Sequence, residues 1–378
     1  DQGWSVESSA TGRDGLLVIR QHAPDIILLD LKLPDIEGME ILRTVKQEKP
    51  AVCIIVMTGF STVRNAVEAM KLGAFDYLPK PFDDDELVMT VRRAARMKRL
   101  MEENRALRER LVDRFSFDNI VGEHPRMLET FEQVTRVAPT DTTVLITGES
   151  GTGKELVARA IHAHSQRTDH PFVAVDCSSL APNLLESELF GHVKGAFTGA
   201  VGARQGVFEI ADEGSLFLDE VANLSLEILA KLLRVLDAHE YKPVGASKCR
   251  RTTARLIAAT NKDLQVMAEE GTFRQDLLYR LDVVPIHLPP LRERREDIAR
   301  LAYHFLLHFC RKMGKRIEGF SDDALEALED FDWPGNVRQL KNVVERLVIM
   351  SDQAILDPRF VLHNMQADGS ADQRSVPE

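Results

Sequence analysis

Short apolar runs that end on polar or acidic residues recur along this chain. Residues 26–29 run into Asp30, residues 53–57 into Thr58-Gly59, and Asp76-Tyr77-Leu78-Pro79 into Lys80-Pro81-Phe82. Between them, residues 38–48 and 62–72 place apolar side chains at helical spacing. Runs without alternation read as parallel strands buried on both faces, and the helical stretches as crossovers. The prediction is α/β: a doubly wound sheet with polar groups at the carboxyl ends of its strands.

Residues 87–115 contain neither Gly nor Pro, and Met97, Leu100, Asn104, Leu107 and Leu111 recur at three- and four-residue steps among Arg and Glu. A stripe this narrow with dense charged flanks predicts a coiled-coil seam in a dimer, Asn104 setting its register. The competing reading is one amphipathic helix lying on a neighbouring domain.

The α/β pattern then returns. A β-branched run at residues 142–147 leads into Gly148-Glu149-Ser150-Gly151-Thr152-Gly153-Lys154-Glu155, and Leu156, Val157, Ala160 and Ile161 open a helix. Strand, glycine-rich loop, helix is the context of a phosphate-binding loop. Its N–H groups and the helix N-terminus attract a polyphosphate, and Lys154 reaches the β- and γ-phosphates as a point charge. Glu155 stands where a Ser or Thr usually meets Mg²⁺. Further strands at residues 172–175, 215–218 and 255–259 end at Asp176, Asp219-Glu220 and Thr260-Asn261. In this setting Asp219 holds Mg²⁺, Glu220 orients or deprotonates the attacking water, and Asn261 lies near the γ-phosphate of ATP.

Residues 271–280 carry Arg274 and Arg280, which on one helix face different directions. They suit a subunit boundary as arginine fingers, or else a salt-bridged surface helix. Trp333-Pro334-Gly335-Asn336 reads as a turn with an Asn cap and a Gln three residues on, which starts a helix with Arg338 in its first turn, facing the nucleotide from a lid. Gly195-Ala196-Phe197-Thr198-Gly199-Ala200 reads as a loop tip presenting Phe197 and Thr198 to a partner, or as a hairpin that tucks Phe197 into its own core.

Composition narrows the class. A 378-residue chain with 44% hydrophobic and 28% charged residues holds two or three ordinary globular domains. Its formal net charge of -11 argues against non-specific nucleic-acid binding, although Lys248, Arg250, Arg251 and Arg255 cluster on what reads as a solvated face. Cys53, Cys177, Cys249 and Cys310 are scattered and read as reduced, mostly packed thiols. No apolar run approaches the roughly 18 residues of a membrane span, which makes the cytoplasm the expected location.

Asp30 after Leu28-Leu29, Leu33-Pro34-Asp35 with Gly38, Thr58, Gly73-Ala74-Phe75-Asp76-Tyr77 and Lys80-Pro81 make the N-terminal part resemble the receiver domains of two-component response regulators, with a flavodoxin-like fold. The resemblance implies that Asp30 accepts a phosphoryl group from a histidine kinase beside a bound Mg²⁺. It further implies that Lys80 pairs with the phosphate, Thr58 hydrogen-bonds it, and Tyr77 changes rotamer. Receivers hold Mg²⁺ with acidic residues on a first strand that would here precede Asp1. The expectation is therefore an N-terminally truncated receiver, phosphorylated at Asp30 weakly or not at all, with an exposed sheet edge.

From Gly148 to Glu155, Glu188 to His192, Gly195 to Ala200, Leu216 to Glu220, Gly271 to Arg280, Leu288 to Glu293 and Trp333 to Asn342, the remainder resembles the AAA+ P-loop ATPase domain of NtrC-like, sigma-54-dependent transcriptional activators. That family commonly has Glu at the position of Glu155. The resemblance implies a homo-oligomeric ring, usually a hexamer, hydrolysing ATP between subunits, with the loop 195–200 touching the sigma-54 factor of RNA polymerase. The family often has Asn where this chain has Asp176, which implies a looser restraint on Glu220 and a higher basal ATPase. Enhancer DNA is expected to be met only through a C-terminal domain beyond this chain.

The expected organisation is a receiver over 1–96, a coiled-coil linker helix over 97–116, the α/β ATPase subdomain over 117–290, a helical lid over 291–364 and a disordered tail over 365–378. Other readings are a nucleotide-gated AAA+ binding scaffold and a generic remodelling ATPase.

Overall fold

The computed structural model describes residues 4–50, 52–59, 63–114, 122–197 and 199–369, with side chains left out at 63–65, 104–114 and 366–369. The chain divides into two compact units, Asp1–Arg110 and Leu111–Glu378.

In the first unit, α1 (Gly12–His22) starts at Thr11, whose hydroxyl accepts the Asp14 N–H at 3.2 Å. Asp14 therefore sits in a helical first turn. The strands β1 (Ile26–Asp30), β2 (Cys53–Thr58) and β3 (Asp76–Pro79) form a parallel sheet in the order β1-β2-β3. The crossovers are α2 (Gly38–Glu48) and α3 (Val63–Lys71). Central β2 is apolar up to its terminal Thr58 because both its faces are covered, and Ile54, Ile55 and Val56 are fully buried. Each such aliphatic contributes about 1.5–3 kcal/mol. Strand β1 pairs only with β2 among the described strands, and Leu28 on it is 41% exposed. Gly38 is required where α2 meets this edge, since a Cβ there would lie 2.5 Å from the Asp30 carbonyl oxygen. Next comes α4 (Asp84–Arg114), a single 31-residue helix. Met97 and Leu100 are exposed on it. The side chains of Asn104, Leu107 and Leu111, the rest of the expected seam, lie outside the described residues.

The second unit opens with α5 (Pro125–Val137), β4 (Val144–Thr147), α6 (Lys154–Ala163), β5 (Phe172–Asp176), α7 (Pro182–Phe190), α8 (Val207–Ile210) and β6 (Ser215–Asp219). It continues with α9 (Leu226–Ala238), a ribbon of β7 (Glu240–Tyr241) and β8 (Arg250–Arg251), β9 (Arg255–Thr260), α10 (Leu264–Glu269), α11 (Gln275–Leu281) and β10 (Val284–His287). The five-stranded sheet is parallel, in the order β10-β4-β9-β6-β5. Successive strand residues face opposite sides, so Ile146, Phe217 and Ile257 pack with Val157 and Ile161, while Leu145, Leu216 and Ala258 pack with Phe190 and Leu229. Register brings Thr147 beside Thr260 and Asp176 beside Asp219, so every polar strand end of interest lies on one edge.

A helical layer completes the unit: α12 (Glu296–Met313), β11 (Gly319–Phe320), α13 (Asp322–Asp330), α14 (Asn336–Met350), β12 (Ile355–Leu356) and α15 (Pro358–Gly369). Its core centres on Trp333, fully buried, whose indole N–H donates to the Leu328 carbonyl at 2.8 Å. Ser321 caps α13, accepting the Ala324 N–H.

Three expectations are corrected. Arg255 is not on a solvated face: it is 2% exposed and donates to the carbonyls of Ala138 at 2.7 Å, Val137 at 2.9 Å and Thr142 at 3.2 Å. The guanidinium satisfies the open end of α5, and burial pushes its pKa down to about 10. The tail does not begin at 365, because Val361 and Met365 are buried against the helical core and α15 continues to Gly369. Finally, Arg274 lies outside α11 as its N-cap residue, with extended backbone, so only Arg280 is helical.

Candidate nucleotide-binding site

The loop between β4 and α6 wraps the carboxyl edge of the sheet. Gly153 caps α6 without a side-chain bond, so the helix N-terminus keeps its N–H groups for a ligand. Lys154 is only 6% exposed, and its ammonium donates to the carbonyls of Gly148 at 3.0 Å and Glu149 at 3.2 Å. The same ammonium lies 3.4 Å from Glu220 Oε1. Thr152 donates its hydroxyl to the Glu149 carbonyl at 2.8 Å and so tightens the loop from within. Glu155 turns away along α6 to pair with Arg159.

Asp219 ends β6 and accepts the Glu220 N–H at 3.1 Å. Burial, and then the Glu220 charge, push its pKa above the ordinary carboxylate value. A carboxylate whose ionisation is opposed in this way fits a divalent cation, which relieves that cost. Glu220 itself has a left-handed backbone, φ 53°, and its Oε2 accepts the Asn261 N–H at 3.1 Å. Asp176 does not face Glu220 through a bond: its Oδ1 accepts the Ser178 N–H at 2.8 Å and hydroxyl at 2.5 Å. Cys177 beside it is an inert buried thiol, pushed up to about 12 by burial and then by Asp176.

The helical layer meets the loop directly. A Cβ on Gly151 would stand 2.4 Å from the Gly335 carbonyl oxygen, so glycine is obligatory at this approach. Arg338 donates its backbone N–H to Gly151 O at 3.3 Å and a guanidinium N–H to Ser150 Oγ at 3.2 Å. Asn336 differs from its expected role as a cap. Gly335 is the N-cap, and Gln339 Oε1 accepts its N–H at 3.0 Å. Fully buried Asn336 spends its amide elsewhere, accepting the Leu291 N–H at 2.8 Å and donating to Ser150 O at 3.0 Å and Glu149 Oε2 at 3.1 Å. Arg274 pairs with Asp276 at 2.6 Å and Arg280 with Asp237 at 2.8 Å.

Two further groups of residues were expected from the sequence. In the first unit Lys80 Nζ lies 2.5 Å from Asp30 Oδ2, and Asp30 Oδ1 accepts the Lys32 N–H at 3.0 Å. Burial opposes the Asp30 charge, but the bonds from Lys80 and the Lys32 N–H outweigh it and hold the carboxyl below its usual value. Thr58 is buried at the neighbouring strand end, its carbonyl accepting the Lys80 N–H at 2.8 Å, and Tyr77 is half-buried against the core. In the second unit the Gly195 N–H donates to Ala200 O at 2.9 Å, closing the loop, with Gly195 and Gly199 at φ 81° and 108°. Phe197 is neither tucked away nor free: it is 39% exposed with its ring edge-on to His192, centroids 5.1 Å apart. Thr198 lies outside the described residues.

Comparison with known proteins decides the family. The sigma-54 interaction domain matches residues 120–287, an AAA+ ATPase lid domain 292–377, and a response regulator receiver domain 1–92. The regulatory protein AtoC of Escherichia coli is 44% identical over 355 residues, covering 94% of this chain and 77% of that protein. The transcriptional regulatory protein ZraR of Salmonella typhimurium is 45% identical over 348 residues, 92% of this chain and 78% of that one. The crystal structure of NtrX from Brucella abortus in complex with ADP superposes with a TM-score of 0.65 at 34% identity, covering 99% of this chain and 87% of that one.

The chain is an NtrC-like, sigma-54-dependent response regulator.

This activator therefore joins a receiver to an AAA+ domain that binds ATP and is an ATPase, and its partners are a histidine kinase and sigma-54. No described helix is long and apolar enough to cross a membrane. Three of the activator's site residues were not singled out from sequence. Arg292 binds Glu149 through two bonds, buried Arg294 donates to Thr152 O at 3.2 Å, and Asp297 accepts the N–H groups of Glu123 and His124. The cluster of arginines at 292–295 was the available signal.

Proposed function

We propose that this activator couples ATP hydrolysis, shared between neighbouring subunits of a ring, to remodelling of the closed promoter complex through the loop 195–200. The observation that supports it best is the contact of Lys154 with Glu220, which ties the phosphate loop to the water-activating carboxylate. The N–H groups of 148–155 and Lys154 cradle the phosphates, and Arg338 reaches them from the helical lid. Asp219 is the carboxylate suited to Mg²⁺, which supplies charge neutralisation on the phosphate oxygens when bound. Once Lys154 turns to phosphate, Glu220 is free to orient and deprotonate water, with Asn261 holding it by its N–H. Asp176, turned toward Ser178, leaves Glu220 to these other restraints. Arg280, in the last turn of α11, and Arg274, at its N-cap, serve the nucleotide of the adjacent subunit.

Phe197 and Thr198, between Gly195-Ala196 and Gly199-Ala200, engage sigma-54. Asp30 accepts the phosphoryl group from a histidine kinase, stabilised by Lys80 and Thr58 and relayed by Tyr77, while α4 pairs receivers into dimers in the cytoplasm. The division of labour assigns the receiver to 1–96, the linker to 97–116 and the α/β subdomain to 117–290, with the helical lid running from 291 through α15 to Gly369.

Mixing two inactive variants tests the shared site. Lys154→Ala and Arg280→Ala proteins hydrolyse little ATP alone, and together they recover activity because each supplies what its neighbour lacks. Additive, unrestored rates on mixing would place the arginine in its own subunit's site.

A further inference from the structure

The phosphate loop carries a carboxylate of its own, in a place where a negative charge opposes a polyanionic ligand. We propose that Arg292 is a positioning residue that holds Glu149 away from the phosphates and neutralises it, so that the loop can accept a nucleotide. The proposal rests on the reading of residues 148–155 as nucleotide-binding and adds a requirement for it.

The geometry is a two-pronged clamp. Arg292 Nη1 donates to Glu149 Oε2 at 2.9 Å and Nη2 to Oε1 at 2.6 Å. This fork-on-fork arrangement fixes direction as well as distance, which a lysine cannot do. Asn336 adds a third bond to Oε2 at 3.1 Å, so the carboxylate is drawn toward a residue ahead of α12 and the first residue of α14. The backbone of Glu149, by contrast, stays in the loop, its carbonyl accepting from Thr152 and Lys154. Main chain and side chain of one residue thus serve opposite sides. The guanidinium, then Asn336, hold the Glu149 carboxyl below its ordinary value, so it remains an anion needing a counter-charge.

A simple brace and a charge-neutralising clamp make different predictions. If Arg292 only braced the lid, removing either partner would weaken nucleotide binding alike, and removing both would weaken it as much. If it neutralises Glu149, removing Arg292 exposes a bare carboxylate beside the phosphates, and removing that carboxylate as well restores binding. The clamp is 40% exposed on each side, so the effect is of moderate size and salt-sensitive.

ADP binding to the full chain, measured by calorimetry, separates these cases. At low ionic strength Arg292→Gln weakens ADP about tenfold, near 1.4 kcal/mol. The defect shrinks several-fold when salt is raised to about 0.5 M, where the Debye length falls to a few ångströms. Glu149→Gln binds as tightly as wild type or tighter, Glu149→Gln with Arg292→Gln returns close to wild type, and Arg292→Lys is intermediate.

A salt-independent defect, a double variant as weak as Arg292→Gln, or Arg292→Gln binding like wild type would each overturn the proposal. Should Arg292→Gln fail to fold, as judged by its melt, the comparison moves to the Glu149→Gln background. There, loss of Arg292 must leave ADP affinity unchanged, and a drop would show that it acts on something else. Failure of the wild-type chain to bind ADP would instead remove the nucleotide reading itself.

Discussion

Replacing Asn336 with Ala is the most informative single perturbation of the junction between loop and lid. Asn336 is fully buried, with three side-chain bonds and a left-handed backbone at φ 52°. Alanine leaves the buried Leu291 N–H without its acceptor, a loss of about 1–3 kcal/mol, and strands the Ser150 carbonyl at about 1 kcal/mol more. Holding a β-carbon at positive φ adds about 1 kcal/mol that Asn largely avoids. The total, about 3–5 kcal/mol, lowers the melting temperature of a unit this size by roughly 6 °C or more.

The assay is thermal unfolding of the full chain, followed on the transition that added ADP raises, which isolates the unit that binds it. Asn336→Gly relieves the backbone penalty alone and recovers about 1 kcal/mol relative to Ala. Asn336→Asp keeps the acceptor for Leu291 but sets a carboxylate against Glu149 and a carbonyl, so it is no better than Ala. An Ala variant melting with wild type, or an Asp variant more stable than Ala, would show that these three bonds do not hold the junction.

Other consequences are checked more briefly. His162 is buried, bonded to Ser215 at 2.9 Å, and burial lowers its pKa from 6.5 to about 4. The unfolded chain takes up that proton first as pH falls, so up to about 3 kcal/mol of stability is lost between pH 6.5 and 4. Urea melts of His162→Gln should lack that part of the slope, and identical pH profiles would contradict it. Lys80→Ala removes the main bond that lowers the Asp30 pKa, so an NMR titration should find Asp30 shifted upward; an unchanged midpoint would count against the pairing. Arg255→Met frees three carbonyls near the end of α5 and should destabilise the unit by about 2–5 kcal/mol in denaturant, whereas a neutral outcome would mean water replaces the guanidinium.

Much of the fold was legible because parallel strands buried on both faces leave continuous apolar runs. Central β2 and β9 show this plainly, and their carboxyl ends deliver Thr58 and Asn261 where the pattern put them. Local chemistry was legible too: Lys154 opens α6 behind the glycine-rich loop. What stayed hidden is long-range pairing. Asn336 looked like a helix cap, but its partner Glu149 is 187 residues away. Arg292 reaches the same carboxylate across 143 residues, and Arg255 looked like surface charge although its acceptor Val137 lies 118 residues back. No periodicity encodes which carbonyl or carboxylate waits at that distance. Phe197 fell between its two readings because His192, bonded to Ser187 at 2.7 Å, sets a ring against it.

The proposed coupling of ATP hydrolysis to sigma-54 through the loop 195–200 is read out by promoter opening. It is tested most directly by counting open promoters formed by sigma-54 holoenzyme with ATP, comparing wild type with Phe197→Ala while ATP consumption is recorded in the same reaction. Phe197→Ala is expected to hydrolyse ATP at close to the wild-type rate yet to open almost no promoters. Wild-type opening by Phe197→Ala, or by Lys154→Ala that cannot use ATP, would contradict it.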